Sequence, residues 1–190
     1  MKVKLVDHTE NLEEKISEMA AICYDSSGAN VKRLKASSHF ATFRFAYATF
    51  EISEFSRSCS MQMLRHAFLD YLQRSQRYVK EFQFEYVIPP DIENHEHELV
   101  KERFINSMEN AQADYDYLIS FGVKAEDARY VLPNACYTKM NVTGNIQAWY
   151  DFLYGDAGRL QKAAQWEIRE IAVDIEKKLK EISPTVFGGQ

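Results

Sequence analysis

The sequence predicts an α+β fold in a single domain, with a mixed or antiparallel sheet and long helices. The chain has 190 residues, of which 46% are hydrophobic and 27% charged, which is typical of one globular domain with a substantial core. No internal repeat, low-complexity stretch or Pro/Gly-rich linker divides residues 1–190, so we expect one domain. Short segments of strand character are mixed unevenly with long amphipathic patterns, and this mixture defines the α+β class.

Three segments predict strands: residues 3–5, 43–52 and 78–88. Residues 43–52 are rich in aromatic side chains, which favour extended structure. Residues 78–88 alternate apolar side chains, and the two prolines that follow would end the strand. Residues 136–142 fit a helix or a strand equally well.

Amphipathic spacing predicts the helices. Asn11, with Glu14 three residues later, matches a capping box at the start of the first helix. The apolar residues that follow share one face: Leu12, Ile16, Met19, Ala20 and Cys23. Further helices are predicted over residues 55–69, 96–121, 125–131 and 159–182. Gly122 and Pro184 follow two of these patterns and supply their stops.

Charge and cysteine content exclude several functional classes. The net charge of −5 argues against a nucleic-acid duplex as partner, although a few converging arginines suffice for a small phosphorylated ligand. Three cysteines without a CxxC pair fit reduced thiols. With no apolar run of membrane-span length and no signal-peptide pattern, we expect a cytoplasmic protein. The polar stretch His95-Glu96-His97-Glu98 is expected to be solvated, and no metal site is predicted.

The most informative stretch is residues 65–78, which contain several arginines, a histidine and a serine around a predicted helix-to-strand junction. Guanidinium groups bind phosphate oxygens in pairs of hydrogen bonds, and a serine hydroxyl adds a donor. On chemistry alone, this stretch is either a phosphate site or a solvated, charged end of a helix.

The spacing of the stretch resembles the signature of flavin-dependent thymidylate synthases: Arg-His-Arg, seven residues, Ser, and then Arg-Tyr one residue later. Five residues in register with it would arise by chance with a probability on the order of 10⁻⁴. These five are Arg65, His66, Ser75, Arg77 and Tyr78. Further blocks resemble the same family in the same order, at residues 21–26, 56–62, 128–133, 143–145 and 164–169.

The resemblance implies a ThyX-like fold, an enzyme of nucleotide biosynthesis and a set of site residues. It implies that substrate is bound by Gln62, Arg65, Gln73, Ser75, Arg77, Arg129 and Arg159. It assigns the catalytic role to Arg65 and Arg159, because a cation near the ring oxygens favours the charge that develops as the pyrimidine C5 attacks. It implies that the flavin is contacted by His66, Asn145, Asp151 and Gln165.

The sequence departs from the family pattern mainly on the flavin side. A three-residue insertion near residues 154–158 precedes Arg159. Ala67 stands where the family motif has its third basic residue, and Gln73 stands where the motif has a Glu. At the other flavin positions, this chain replaces a Glu, two His, an Arg and an Asn of the family with Arg44, Phe45, Ala163, Gln147 and Asp151. We therefore expect a rearranged pocket that binds FAD more weakly.

The resemblance implies a methyltransferase of the thymidylate synthase type. It would transfer one carbon from methylene-tetrahydrofolate to C5 of dUMP, with FAD and NADPH supplying the reduction, in a homotetramer. The altered flavin positions leave two alternatives open. One is a hydroxymethylase acting on dUMP or dCMP, in which water quenches the transferred carbon. The other is a non-catalytic nucleotide-binding homologue.

Overall fold

The computed structural model describes residues 1–189, and its strands and helices confirm the α+β class. Four strands form an antiparallel sheet in the order β1-β2-β4-β3. The strands are β1 (Lys2–His8), β2 (Tyr47–Ser56), β3 (Leu69–Gln73) and β4 (Tyr137–Asn145). The α-helices are α1 (Leu12–Ala21), α2 (Val31–Ala36), α3 (Arg57–Met63), α4 (Pro90–Glu93), α5 (Glu98–Ser120), α6 (Ala125–Ala128), α7 (Ile146–Tyr154), α8 (Trp166–Ile182) and α9 (Pro184–Phe187). Short 3₁₀ turns cover Ile22–Tyr24, Phe40–Phe45 and Arg129–Val131.

Contacts within the described chain define two compact units. The first unit consists of residues 1–52, 62–72 and the described residues from 141 onward, and the second consists of residues 53–61 and 73–140. A single domain over residues 1–190 therefore stays a prediction. No helix among the described residues is both long enough and apolar enough to cross a membrane.

The core of the first unit forms around Trp149 on α7. Its ring is fully buried, meets the edge of Phe50 at 4.9 Å between centroids, and donates from Nε1 to the Ala48 carbonyl at 2.9 Å. Burying the indole with its N–H paired avoids the cost of an unsatisfied donor. Helix α8 adds a buried apolar stripe at helical spacing: Ile168, Ile171, Ala172, Ile175 and Leu179.

The second unit is organised by α5, whose buried side is anchored by Tyr115. The Tyr115 hydroxyl accepts a hydrogen bond from the backbone N–H of Glu81 at 3.2 Å. The Glu81 carboxylate is nearly buried and accepts two hydrogen bonds from Arg74, at 2.5 and 2.6 Å. This pairing offsets the cost of removing a carboxylate from water.

The predicted strand over residues 78–88 is wrong, because this segment forms an irregular stretch that packs on α5. Gln112 on α5 takes up its backbone groups, accepting from Phe84 N–H at 2.7 Å and donating to the Glu81 carbonyl at 3.1 Å. Gln83 adopts a left-handed backbone with φ of 50°, which breaks an extended run. The rings of Phe82 and Tyr86 contact aromatic rings of α5 instead, and what remains of a strand is one bridge between Tyr86 and Cys136.

Several predicted boundaries also need correction. The strand predicted at residues 43–52 begins at Tyr47, because Phe40–Phe45 form a 3₁₀ turn. The helix predicted at 55–69 ends at Met63, and the one predicted at 159–182 begins at Trp166, which leaves Arg159 in a loop. Residues 137–145 resolve the ambiguous segment as a strand, and α7 is a helix that the apolar pattern did not reveal.

The start and end of α1 also differ from the prediction. Asn11 precedes the helix but adopts a left-handed backbone with φ of 47°, and its side chain makes no capping hydrogen bond. The chain tightens into a 3₁₀ turn at Ile22, so Cys23 leaves the apolar face and is exposed. By contrast, the helices at 96–121 and 125–131 are confirmed, and Gly122 ends α5 with φ of 84°.

Candidate active site

In the first unit, the structure gathers four of the predicted site residues in one cluster: Gln62, His66, Arg159 and Gln165. The Arg159 Nε donates to His66 Nε2 at 2.7 Å, and its Nη2 donates to the Gln62 carbonyl at 3.4 Å. The side-chain amide of Gln62 donates to Gln165 Oε1 at 3.5 Å. Residues assigned separately to the substrate and to the flavin are thus neighbours in one cluster.

The loop before α8 brings Arg159 to this cluster. The inserted residues fold as a turn, in which Gly158 N–H donates to the Gly155 carbonyl at 2.8 Å. The Arg159 N–H then donates to the Phe152 carbonyl at 2.8 Å, which ties the backbone to the end of α7. The insertion therefore does not separate Arg159 from the site.

Two predicted flavin contacts cap helices. The Asn145 side chain accepts from Ala148 N–H at 2.9 Å and starts α7. The Gln165 side chain accepts from the N–H groups of Glu167 and Ile168, at 3.0 and 3.2 Å, and starts α8. Capping fixes each side-chain oxygen, so the amide nitrogen is the group that a ligand could use.

His66 is neutral in this environment. Burial, reinforced by the charge of Arg159, lowers the pKa of the imidazole to about 4. Because arginine can only donate, Nε2 of His66 must be the unprotonated ring nitrogen, and Nδ1 carries the proton.

A cavity of about 340 Å³ in the first unit is lined by three of the residues that depart from the family pattern, Arg44, Gln147 and Asp151. Its lining is formed by Arg44, Phe68, Asn145, Gln147, Ala148 and Asp151. Arg44 Nε donates to Gln147 Oε1 at 2.6 Å, so two of the replaced positions are bonded to each other. Partial burial raises the pKa of the Asp151 carboxyl, while Arg44 and Gln147 oppose that shift. The cavity offers a cation, amides, a carboxyl and one aromatic ring.

In the second unit, Arg57 and Arg129 line a separate cavity of about 250 Å³. Burial lowers the pKa of Arg57, and the charges of Arg129 and Arg74 lower it further, against the opposing charge of Glu81. A guanidinium that is held close to other cations is stabilised when an anion binds between them. The sequence-based set of candidate site residues does not include Arg57, although Arg57 lies in the family-like block of residues 56–62 that precedes the motif.

The remaining substrate residues of the second unit have protein partners. Arg77 Nη2 donates to the Glu126 carboxylate at 3.4 Å, and Arg129 Nε donates to the backbone carbonyl of the same residue at 3.0 Å. Ser75 Oγ accepts from Arg77 N–H at 3.2 Å. The amide nitrogen of Gln73 donates to the hydroxyls of Ser60 and Thr138, at 2.9 and 3.0 Å. Gln73 therefore has a structural partner set that the resemblance did not indicate.

Arg65 follows α3 and is exposed, and its guanidinium has no hydrogen bond or ion pair within the described part of the chain. Its placement differs from that of Arg159, which is half-buried and bonded at two atoms. Basic and amide groups converge around polar cavities, which is the arrangement of an α+β protein that binds an anionic, planar ligand.

Comparison with known proteins identifies the family. Residues 4–185 match the family described as thymidylate synthase complementing protein. The chain is 34% identical to the flavin-dependent thymidylate synthase of Clostridium tetani, with 98% of this chain and 85% of the relative covered. It is 35% identical to the same-named protein of Geobacter sulfurreducens at the same coverage, and 36% identical to that of Saccharolobus solfataricus over 78% of this chain and 55% of the relative. The chain belongs to the thymidylate synthase complementing protein family, and the resemblance found in its motif is confirmed.

Proposed function

We propose that this chain is a flavin-dependent thymidylate synthase, which transfers one carbon from methylene-tetrahydrofolate to C5 of dUMP and forms dTMP. Membership of the family and the names of the relatives support this reaction. The single structural observation that carries it is the cavity lined by Arg57 and Arg129, where two cations lie close enough for one to lower the pKa of the other.

The nucleotide phosphate is the natural counterion of this cavity. A phosphate dianion accepts charge-assisted hydrogen bonds from two guanidinium groups and removes their mutual repulsion. Ser75 and Arg77 follow β3 in the same unit and supply a further hydroxyl and cation. Arg77 can release its weak, exposed contact with Glu126 to reach a ligand, because such ion pairs contribute little.

Arg159 supplies the electrostatic role that the reaction requires. Its Nε and one Nη2 hydrogen are used within the protein, and a guanidinium has five N–H donors, so three remain for a ligand. A cation beside the pyrimidine oxygens stabilises the charge that develops there as C5 attacks the incoming carbon. Arg65, exposed in the same unit, would add a second cation.

The cavity beside Asn145 fits part of a flavin dinucleotide. It provides the Phe68 ring for stacking, amide groups for the polar edge of a heterocycle, and the Arg44 cation for a phosphate. We assign Arg44, Asn145 and Gln147 to hold the flavin, with the uncommitted Nδ1–H of His66 and the amide nitrogen of Gln165 as further donors. A reduced flavin held by these residues would supply the hydride that converts the transferred carbon into a methyl group.

The hydrogen bond between Arg44 and Gln147 supports a rebuilt flavin pocket rather than a lost one. Arg44 stands where the family pattern has Glu, and Gln147 stands where the pattern has Arg. The cavity therefore keeps one guanidinium, but position 44 supplies it instead of position 147. Replacing a charged acceptor with an amide weakens such a pair. This is why we propose that FAD binds more weakly here than in the relatives.

The same rearrangement makes a hydroxymethylase the second candidate. In that reaction water quenches the transferred carbon, so no hydride is needed and a weakly bound flavin is tolerated. The Asp151 carboxyl is an acceptor that a cytosine amino group could use, which would make dCMP the substrate. A non-catalytic nucleotide-binding homologue would keep the Arg57 cavity and lose turnover altogether.

We propose a homotetramer as the active assembly. Large apolar side chains in and beside the motif are exposed in the isolated chain, among them Phe68 at 78% and Leu72 at 77%. Large apolar side chains exposed close together in one segment are typical of a surface that another chain covers. Sedimentation as a monomer at micromolar concentration would contradict this assembly.

The function is tested by measuring the molecular mass of the nucleotide product. Protein, methylene-tetrahydrofolate and either dUMP or dCMP are incubated with and without FAD and NADPH, and the nucleotide is analysed by mass spectrometry. A methyl product that requires FAD supports the synthase. A hydroxymethyl product that forms without NADPH supports the second candidate. Nucleotide binding without any product would refute both.

A further inference from the structure

We infer that His66 is a positioning residue, whose Nε2 fixes the guanidinium of Arg159 in the orientation that the reaction needs. This inference rests on the proposed function, because Arg159 is the cation assigned to the pyrimidine ring. It gives His66 a role in the nucleotide chemistry beyond the flavin contact that the resemblance implies.

The hydrogen bond from Arg159 Nε to His66 Nε2 defines the plane of the guanidinium. At 2.7 Å it is the shorter of the two hydrogen bonds that this guanidinium makes within the described chain, and it involves Nε, the nitrogen closest to the aliphatic part of the side chain. The second bond, from Nη2 to the Gln62 carbonyl at 3.4 Å, is longer and leaves the group free to swing. Without an acceptor at His66, the remaining contact would not hold the outer N–H groups in one direction.

His66 is itself held firmly enough to act as a fixed point. Its ring meets the buried ring of Phe152 edge-on, with 4.8 Å between centroids. Its backbone N–H donates to the Met63 carbonyl at 3.0 Å, and its carbonyl accepts from the Tyr71 hydroxyl at 3.1 Å. The Arg159 backbone also bonds to Phe152, so the two side chains of the pair share one anchor.

The charge state of the pair agrees with this role. The charged group that acts on the imidazole is the Arg159 guanidinium, which donates to Nε2. The Tyr71 hydroxyl donates to the His66 backbone carbonyl, and the Asp70 side chain is exposed. Burial and the Arg159 cation keep the imidazole neutral at physiological pH, so its Nε2 stays an acceptor there. Protonation in acid would remove the acceptor and place a second cation beside the guanidinium.

Two variants separate the acceptor from the ring. His66→Phe keeps an aromatic ring against Phe152 but removes the acceptor, and His66→Gln keeps an oxygen near the position of Nε2. His95→Gln, an exposed histidine of the second unit, is the matched control. For each protein, kcat, the KM for dUMP, the Kd for FAD and the Nε–H signal of Arg159 in an NMR titration from pH 3 to 8 are measured.

We expect His66→Phe to lower kcat on the order of 10- to 100-fold at saturating FAD with little change in the KM for dUMP, while the loss of the Nδ1–H donor weakens FAD binding. His66→Gln should recover much of that loss. In the wild type, the Arg159 signal should titrate near the His66 pKa of about 4, and the transition should vanish in both variants at this position but not in the control.

Two results would overturn the inference. One is a wild-type Arg159 signal that shows no transition in acid, or the same transition in His66→Gln. The other is a His66→Phe variant with a raised Kd for FAD and an unchanged Arg159 signal, which would make His66 a flavin contact alone. If the wild type forms no product, the proposed function fails, and the titration by itself still decides whether His66 fixes Arg159.

Discussion

Replacing Arg57 with glutamine tests the phosphate site most sharply, because this residue was revealed by the structure and not by the motif. Arg57 shares a cavity with Arg129, and its pKa is lowered by burial and then by the neighbouring arginines. The ligand-free protein therefore holds two like charges close together, a cost that a bound phosphate removes. Glutamine keeps a polar side chain of related shape but brings no charge.

The expected loss follows from one charge-assisted contact. A hydrogen bond to a charged group contributes about 1.5–3 kcal/mol, so the Kd for dUMP should rise about 10- to 150-fold. Isothermal titration calorimetry of dUMP binding measures this directly. Arg103→Gln is the matched control, because Arg103 is an exposed arginine of the same unit that does not line the cavity, and its Kd should equal that of the wild type.

The reasoning also predicts what the substitution does not change. Deoxyuridine, which lacks the phosphate, should bind the Arg57→Gln variant and the wild type equally weakly. If the Kd of the Arg57→Gln variant for dUMP is within about twofold of the wild-type value, the assignment of the cavity to the phosphate is refuted. Even a hydrogen bond between uncharged groups contributes about 0.5–1.5 kcal/mol. A proportional loss of deoxyuridine binding would instead locate Arg57 near the base.

Three further predictions concern other parts of the molecule. The double change Arg44→Glu with Gln147→Arg restores the family arrangement and should tighten FAD binding in a fluorescence titration, whereas Arg44→Glu alone should weaken it; equal Kd values for all three proteins would contradict a flavin role for the pair. Gly158→Ala would bring a Cβ to 2.5 Å from the Leu153 carbonyl oxygen, so urea denaturation should show a loss of about 1–3 kcal/mol; an unchanged midpoint would mean that the turn relaxes freely. Cys59→Ala should keep its catalytic activity after a modest loss of packing, because the thiol is fully buried; an inactive but folded variant would indicate a thiol nucleophile.

The chemistry of the site could be predicted from the sequence because it depends on residue types at fixed spacing. The motif residues lie within 14 consecutive positions, and matching blocks elsewhere carried Arg129 and Arg159 with them. Family membership confirms the basis of this assignment, while the roles of the individual residues stay predictions. Arg57 lay inside a matching block and was overlooked, because one arginine in an otherwise apolar and hydroxyl-rich helix gives no signal of its own.

The irregular segments could not be predicted because distant residues decide them. Alternating aromatics at residues 82, 84 and 86 satisfy the strand pattern, yet Gln112 on α5 takes the backbone groups that a neighbouring strand would have paired. Local pattern cannot register a partner 28 residues away. Similarly, the helical spacing that begins at Leu160 continues into α8, and only the Gln165 cap shows that the helix starts later.

The flavin side shows a different limit. In the sequence, each replacement at a flavin position indicates the loss of one contact with the flavin. The structure joins Arg44 to Gln147 and gathers them with Asn145 and Asp151 around one cavity, so the replacements form a set. Such compensation depends on proximity between residues about 100 positions apart, which a single sequence does not contain.

Substitution at C5 is the central claim, and release of tritium from dUMP labelled at C5 measures it most directly. Forming a carbon–carbon bond at C5 must expel the hydrogen there, whichever product results. We predict tritium release to water that requires methylene-tetrahydrofolate, rises with added FAD and falls sharply in the Arg159→Gln variant. A wild-type protein that binds dUMP in calorimetry, yet releases no tritium with methylene-tetrahydrofolate, FAD and NADPH all present, would contradict the account.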